Sequence, residues 1–150
     1  LERSPTELTE LVDSLRRLLV PQAERQGVEI RIVEPTTPLP PIQADAVKLQ
    51  QVLLNLCLNG LQAMPQGGVL SIVLRVAGES LEIDVVDSGV GIHEEIYERI
   101  FDPYFTTRGD GTGMGLALSE KIVRLHGGTL TFRCDPARTV FTVAIPIEAC

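Results

Sequence analysis

LEIDVVDSGVGI, residues 81–92, decides how this chain is read. By the two-residue period of a strand, Leu81, Ile83, Val85 and Asp87 share one face, so a row of apolar side chains aimed at the core ends in a carboxylate. A carboxylate there needs a donor. The exocyclic amine of adenine is one, and Gly89 and Gly91 would let the backbone turn tightly with no side chain against the base. Taken alone, Asp87-Ser88-Gly89 reads more readily as a polar turn after a strand.

Toward the N-terminus, Gly78-Glu79-Ser80 is a turn and VLSIVLRV (69–76) a strand, so 69–87 predicts a hairpin. Pro65-Gln66-Gly67-Gly68 separates it from a helix predicted from about Ala46 to Met64, apolar on most of its circumference and therefore largely buried. On that helix Asn55 and Asn59 stand at i and i+4, on one side. Burying an amide without a partner costs roughly 1–3 kcal/mol, so two in so apolar a helix need something to satisfy them. A neighbouring loop's backbone is one answer. The other is a magnesium ion between phosphates, a hard cation that would take the Asn59 carbonyl oxygen. Further upstream, Val28, Ile30 and Ile32 alternate with Glu29 and Arg31 as a half-buried strand, and the prolines from Pro35 to Pro41 break it before an extended piece to Asp45. Ser4-Pro5-Thr6-Glu7 has capping-box spacing, and the leucines after it predict a first helix ending near Pro21.

Toward the C-terminus, residues 93–99 predict a short helix and 100–112 a loop. Phe101, Tyr104 and Phe105 form a hydrophobic anchor in that loop, suited to a lid. Gly111-Thr112-Gly113-Met114-Gly115 leads into a third helix, Met114–His126, whose first N–H groups form an anion site. The loop lacks the lysine of a P-loop and follows no strand, so it is not the dinucleotide fingerprint. Arg108 is either a donor to a terminal phosphate or a solvated loop arginine. His93 and His126 have no acid, cysteine or serine at a catalytic spacing, and His126 is accounted for by capping and the helix dipole. TLTFRC (129–134) and TVFTVAIP (139–146) predict a second hairpin. With so few βαβ alternations the expected fold is α+β, a two-layer sandwich with a mixed, mostly antiparallel sheet of about five strands and three main helices on one face. LNLCLNGLQAM (54–64), DVVDSGVGI (84–92) and GDGTGMGLAL (109–118) together read as an ATP site.

Composition bounds the rest. The 150 residues, 44% hydrophobic, predict one domain. Thirteen basic residues against 20 acidic ones give a net charge of −7, and no basic run is interleaved with aromatics, which argues against nucleic acid. Cys57, Cys134 and Cys150 have no metal-like spacing, and Cys57 reads as a reduced, buried thiol, so a cytoplasmic setting is expected. No stretch is apolar enough to span a bilayer, and any membrane attachment is expected outside this chain.

With these residues in view the chain resembles the catalytic and ATP-binding domain of two-component sensor histidine kinases, in the superfamily of gyrase, heat-shock chaperone ATPases and MutL. LNLCLNGLQAM resembles the N box, DSGVGI the first glycine box, IFDPYFTTR the F box and GTGMGLAL the second glycine box, in the family order, and the compact PYFTTR lid is most similar to the nitrogen-regulation branch. The resemblance implies a Bergerat-type sandwich binding ATP and Mg2+. It makes Asn59 the magnesium ligand, Asn55 a phosphate-side contact and Asp87 the adenine reader. Thr139 becomes a hydroxyl assisting adenine recognition through water, and Gly89, Gly91, Gly111, Gly113 and Gly115 positions of close backbone approach. Ile92, Thr106, Thr107, Arg108, Thr112, Met114 and Leu116 are the further implied nucleotide contacts, with Arg108 acting beside Asn55 and Asn59 in catalysis. Gly60 departs from the family's usual alanine, at up to about 1 kcal/mol of helix stability, and Arg138 replaces a usual glycine.

In the ATP-hydrolysing relatives the position one turn before Asn59 resembles a glutamate that activates water. Here it is Asn55, without useful basicity, so direct hydrolysis is disfavoured. No phosphoacceptor histidine motif occurs in residues 1–150, which look like a catalytic half acting on a histidine of a separate dimerisation hairpin, with a response regulator receiver domain downstream. The fragment is expected to be monomeric and the full-length kinase a homodimer. The alternatives are a degenerate nucleotide-binding or protein-interaction module and an anti-sigma-factor-type serine kinase. Intact Asn59, Asp87 and glycine boxes weigh against the first, and Asn55 against the second.

Overall fold

The computed structural model describes residues 1–89, 91–92, 94–102 and 115–147. In chain order the elements are β1 (Ser4–Thr6), α1 (Leu8–Gln26), β2 (Val28–Val33), β3 (Ile42–Ala44), α2 (Ala46–Gln62), β4 (Gly68–Ala77), β5 (Ser80–Asp87), a 3-10 turn (Glu94–Arg99), α3 (Gly115–Leu125), β6 (Thr129–Asp135) and β7 (Arg138–Pro146). Five strands form one mixed sheet in the order β2-β4-β5-β7-β6. β2 and β4 run parallel because α2 lies in the crossover between them, and every other neighbouring pair is antiparallel. Both predicted hairpins are present. The first closes through Gly78-Glu79, with Gly78 at φ 61. The second closes where Asp135 Oδ1 accepts from the Ala137 and Arg138 N–H groups at 2.8 and 3.0 Å.

The register sets which residues share a face. Leu74, Ile83 and Val143 lie opposite one another across three strands, and so do Leu70, Asp87 and Thr139, with Cys134 beyond Thr139 on β6. The apolar members of this face, with Leu81, Val85, Leu130 and Ile145, form the core with the buried stripes of the three helices. The two-layer α+β sandwich read from the sequence is the fold observed.

Three local expectations are corrected. Ser4–Thr6 is not a capping box but a short strand paired with Ile42–Ala44. Thr6 Oγ1 donates toward the Ser4 and Ala44 carbonyls instead of capping, and α1 begins after Glu7 with no side-chain cap. Strand pairing has overridden the local signal. Secondly, α1 does not end near Pro21; it continues to Gln26 and stops at Gly27, φ 74. The proline removes one backbone donor, but the last turn buries Ala23 and its Gln26 amide donates to the Leu61 and Met64 carbonyls at 2.8 and 3.2 Å. That anchors the end of α1 to the end of α2. Thirdly, α2 buries one stripe (Leu49, Val52, Leu53, Leu56, Cys57, Gly60, Leu61) and leaves Val47 77% exposed, so it is less enclosed than its composition suggests. Asp45 caps it, accepting from the Lys48 N–H at 3.2 Å.

Candidate functional site

At one end of the sheet, beneath the C-terminal turns of α2, β5 stops at Asp87. The side chain is only 5% exposed. One carboxylate oxygen accepts from the Gly89 N–H at 3.0 Å, and the other has no partner among the described residues. Burial pushes the carboxyl pKa up to about 6, against the opposing pull of the Gly89 N–H. α2 presents Gly60 to this carboxylate. A Cβ there would stand 2.9 Å from Leu70 Cδ1, 3.3 Å from Asp87 Cβ and 3.6 Å from Asp87 Oδ2. The glycine that departs from the family pattern is therefore where the helix backbone comes down on the acid.

Gly89 and Gly91 each stand close against another part of the fold. A Cβ on Gly89 would lie 2.2 Å from the Ala63 carbonyl oxygen, so the glycine lets the chain leaving β5 pass the end of α2. A Cβ on Gly91 would lie 2.8 Å from Cys134 Sγ. Between them and the sheet, Ser88 Oγ accepts from the Val69 N–H at 3.0 Å.

Thr139, buried, is the cross-strand partner of both Asp87 and Cys134. Its hydroxyl is 3.4 Å from Cys134 Sγ, and the same sulfur accepts from the Ile92 N–H at 3.4 Å. The Tyr97 phenol next to this thiol has its pKa raised, first by burial and then by Cys134. Below, Phe132 packs edge-on against Tyr97 at 5.1 Å and Phe101 at 6.1 Å, and Phe101 against Phe141 at 6.5 Å. Phe101 is thus the packed anchor expected of it; Tyr104 and Phe105 lie outside the described residues.

Asn55 and Asn59 are half-buried on α2, one turn apart, so water reaches amides that the sequence placed in a dry helix. Ile92 and Leu116, implied nucleotide contacts, pack against the core, while Gly115 has open space where a Cβ would stand. Thr106, Thr107, Arg108, Gly111, Thr112, Gly113, Met114 and His93 lie outside the described residues. His126 bonds the last turn of α3, as a capping residue does, and reaches beyond it. Its buried ring has Nε2 accepting from the Asp45 N–H at 3.0 Å and Nδ1 at 2.8 Å from the Ile122 carbonyl. That pairing requires a neutral imidazole protonated on Nδ1, which joins the end of α3 to the start of α2. Sequence reasoning missed Gly60 as a packing site, Cys134 and the His126 joint. Counting the strand period along TLTFRC would have placed Cys134 on the Asp87 face.

Residues 44–149 match the family described as histidine kinase-, DNA gyrase B-, and HSP90-like ATPase. The chain is 40% identical over 143 residues to sensor histidine kinase ZraS of Escherichia coli K12, covering 95% of this chain but 30% of that protein's length. Its fold is similar to the nucleotide-free catalytic domain of histidine kinase ThkA, with a TM-score of 0.90, 30% identity, and 97% and 96% of the two chains covered. Full-length ShkA in complex with AMPPNP is similar at a TM-score of 0.90 and 26% identity, over 100% of this chain and 32% of that one.

Proposed function

From the chain's membership of the histidine kinase-, DNA gyrase B-, and HSP90-like ATPase family, to which it belongs, we propose that it binds Mg-ATP and donates the γ-phosphoryl group to a histidine on a separate dimerisation domain of a sensor kinase. The observation that carries the reading is Asp87, a 5% exposed carboxylate with one oxygen unpartnered among the described residues. An amine donor of a purine fits that oxygen, and the donor set fits the rest. Asn59 offers one neutral oxygen, suited to a hard cation whose other ligands are phosphates and water. Bound Mg-ATP supplies the phosphoryl group and the charge that neutralises it.

The chain's own residues position and do not hydrolyse. Asp87 would hold the base, and Asn59 would supply an oxygen to the cation. Asn55 has no basicity with which to take a proton from water, so it would not activate one against a bound nucleotide, and transfer would be left to the partner histidine. We read Arg108 and the glycines of 111–115 as phosphate contacts. A receiver domain downstream, a cytoplasmic setting and a dimeric full-length kinase complete the proposal.

The purified chain incubated with labelled ATP should neither hydrolyse it appreciably nor label itself. A matching histidine-bearing hairpin added in trans should acquire acid-labile phosphate, and Asn59→Ala should slow that transfer at least about tenfold. Label on His93 or His126 without the hairpin would overturn the reading.

A further inference from the structure

We propose that the free edge of β2 and the flank of α1 beside it form a docking groove for an extended peptide, which adds to the sheet as a further strand and carries apolar, apolar and basic side chains at alternate positions. None of the residues read above as nucleotide contacts lines this groove.

The two edges of the sheet are finished differently. β6 and β2 stand at its ends, and each bonds one described strand, β7 and β4. On β6 the helix-side face is covered, with Leu130 buried and Phe132 packed against Tyr97 and Phe101. On β2 that face is left open. Ile30 and Ile32 pair with Leu70 and Ile72, both 0% exposed, yet are themselves only half-buried. A cleft of about 540 Å3 lies between them and α1. The core thus stops one strand short of closure. In a parallel pair, alternate residues turn their N–H and C=O groups away from the partner, so the outer side of Val28–Val33 carries donors and acceptors with no described strand opposite. An added segment of about six residues matches that edge.

Charge selects the occupant. β2 returns along α1 from the turn at Gly27, and at about 3.3 Å per strand residue and 1.5 Å per helix residue Glu34 and Glu10 lie almost equally far from that turn. Both line the cleft, with Asp13 beside them, so one end of it is acidic. Arg16, its one basic residue, lies nearer the turn. Arg17 holds Asp13 at 2.7 Å, whereas Glu10 and Glu34 are exposed and have no ion pair among the described residues. On the other face of β2, Arg31 and Glu29 pair with each other. An added strand therefore meets Ile30 and Ile32 with two apolar side chains and Glu34 with a basic one. A second copy of this chain suits the groove less, because it brings the same acidic rim and a net charge of −7.

Backbone amide NMR of the whole chain, titrated with synthetic heptapeptides at millimolar concentration, provides the test. The probes are Ser-Val-Thr-Val-Thr-Lys-Ser and its reversed sequence, which present the same face in the two chain directions, and the same pair with Glu in place of Lys. One direction of the Lys peptide should shift the amides of 28–34 and of the 9–16 flank of α1, and should bind about tenfold tighter than its Glu counterpart. Glu10→Lys combined with Glu34→Lys, both at exposed positions that leave the fold intact, should invert that preference. N-methylation of alternate peptide nitrogens should abolish binding in one phase and spare it in the other, because only every second residue of an added strand bonds β2. The proposal is overturned if no probe shifts these amides, if the shifts fall elsewhere, if Lys and Glu peptides bind alike, if the double charge reversal leaves the preference as it was, or if both methylation phases act alike. Concentration-dependent dimerisation through the same amides without peptide would give the edge to a second copy and overturn it too.

Discussion

Two aspartates on β5, three residues apart and on opposite faces of the sheet, are equally hidden: Asp84 is 4% exposed and Asp87 5%. Each also faces a threonine across the ladder, Asp84 facing Thr142 and Asp87 facing Thr139. Their partners differ. Thr142 donates its hydroxyl to Asp84 at 2.6 Å, and Arg75, which also holds Glu82 at 2.6 Å, closes on the other oxygen. Among the described residues Asp87 receives one backbone N–H, and its threonine lies against a thiol. A buried carboxylate with both oxygens engaged holds strands together, whereas one left half-engaged is kept for something else. Burial alone does not separate the two; unfilled bonding capacity does.

Replacing each acid with its amide should break that comparison most sharply. Asp87→Asn keeps the Gly89 contact through the amide oxygen but points an NH2 group where an acceptor stood. Affinity for Mg-ATP should fall at least tenfold and up to about a hundredfold, while the fold is retained. Asp84→Asn should do the reverse, lowering stability by about 2 kcal/mol because an amide cannot accept from both Arg75 and Thr142, with ATP affinity unchanged. Calorimetry and urea unfolding of both variants check this. Equal loss of affinity in the two would mean that Asp87 has no special relation to the base.

A second test uses the charge itself. The Asp87 pKa is raised in the fold from 3.8 to about 6. Between those values the folded state holds more protons than the unfolded one, so stability falls as pH rises through the window and stays lower above it. Asp87→Asn carries no such charge. The variant and the parent should therefore be equally stable near pH 4, and the variant more stable by about 2 kcal/mol at pH 7. Urea unfolding across that range gives the answer. A difference constant with pH would mean that the carboxyl titrates normally, and the site would lose its strained acid.

How far the sequence could have shown this depends on the range of the forces. The strand period put Leu81, Ile83, Val85 and Asp87 on the core face, and the structure agrees. It also put Asp84 on the opposite face, where nothing local announces that Arg75 and Thr142 will bury it. The capping-box reading of Ser4–Glu7 failed because β1 pairs with a strand whose first residue, Ile42, is 36 positions beyond Thr6. The stop at Pro21 failed because Gln26 finds carbonyls on another helix. Local chemistry was legible and long-range partners were not. The glycines read from the sequence as positions of close approach to a nucleotide also approach protein, and Ala63 and Cys134, the residues met by Gly89 and Gly91, became visible only in the fold.

The smallest expected effect falls on Gly60, behind the acid. Gly60→Ala gains up to about 1 kcal/mol of helix propensity. Against that, the new Cβ meets Leu70 Cδ1 at 2.9 Å and Asp87 Cβ at 3.3 Å. The leucine tip can rotate, whereas Asp87 Cβ is fixed to the strand and must shift by a few tenths of an ångström. Those terms oppose each other, so net stability should change by less than about 1 kcal/mol. The shift lands on the carboxylate that reads the base, so ATP affinity should fall about two- to fivefold although the fold scarcely notices. The same helix turn has no contact of this kind with Asp84, and the Asp84→Asn effect should be the same with or without the Gly60 change. A variant with parental ATP affinity would show that Asp87 tolerates displacement, and the distinction between a tightly set reader and an ordinary buried acid would have to rest on its partners alone.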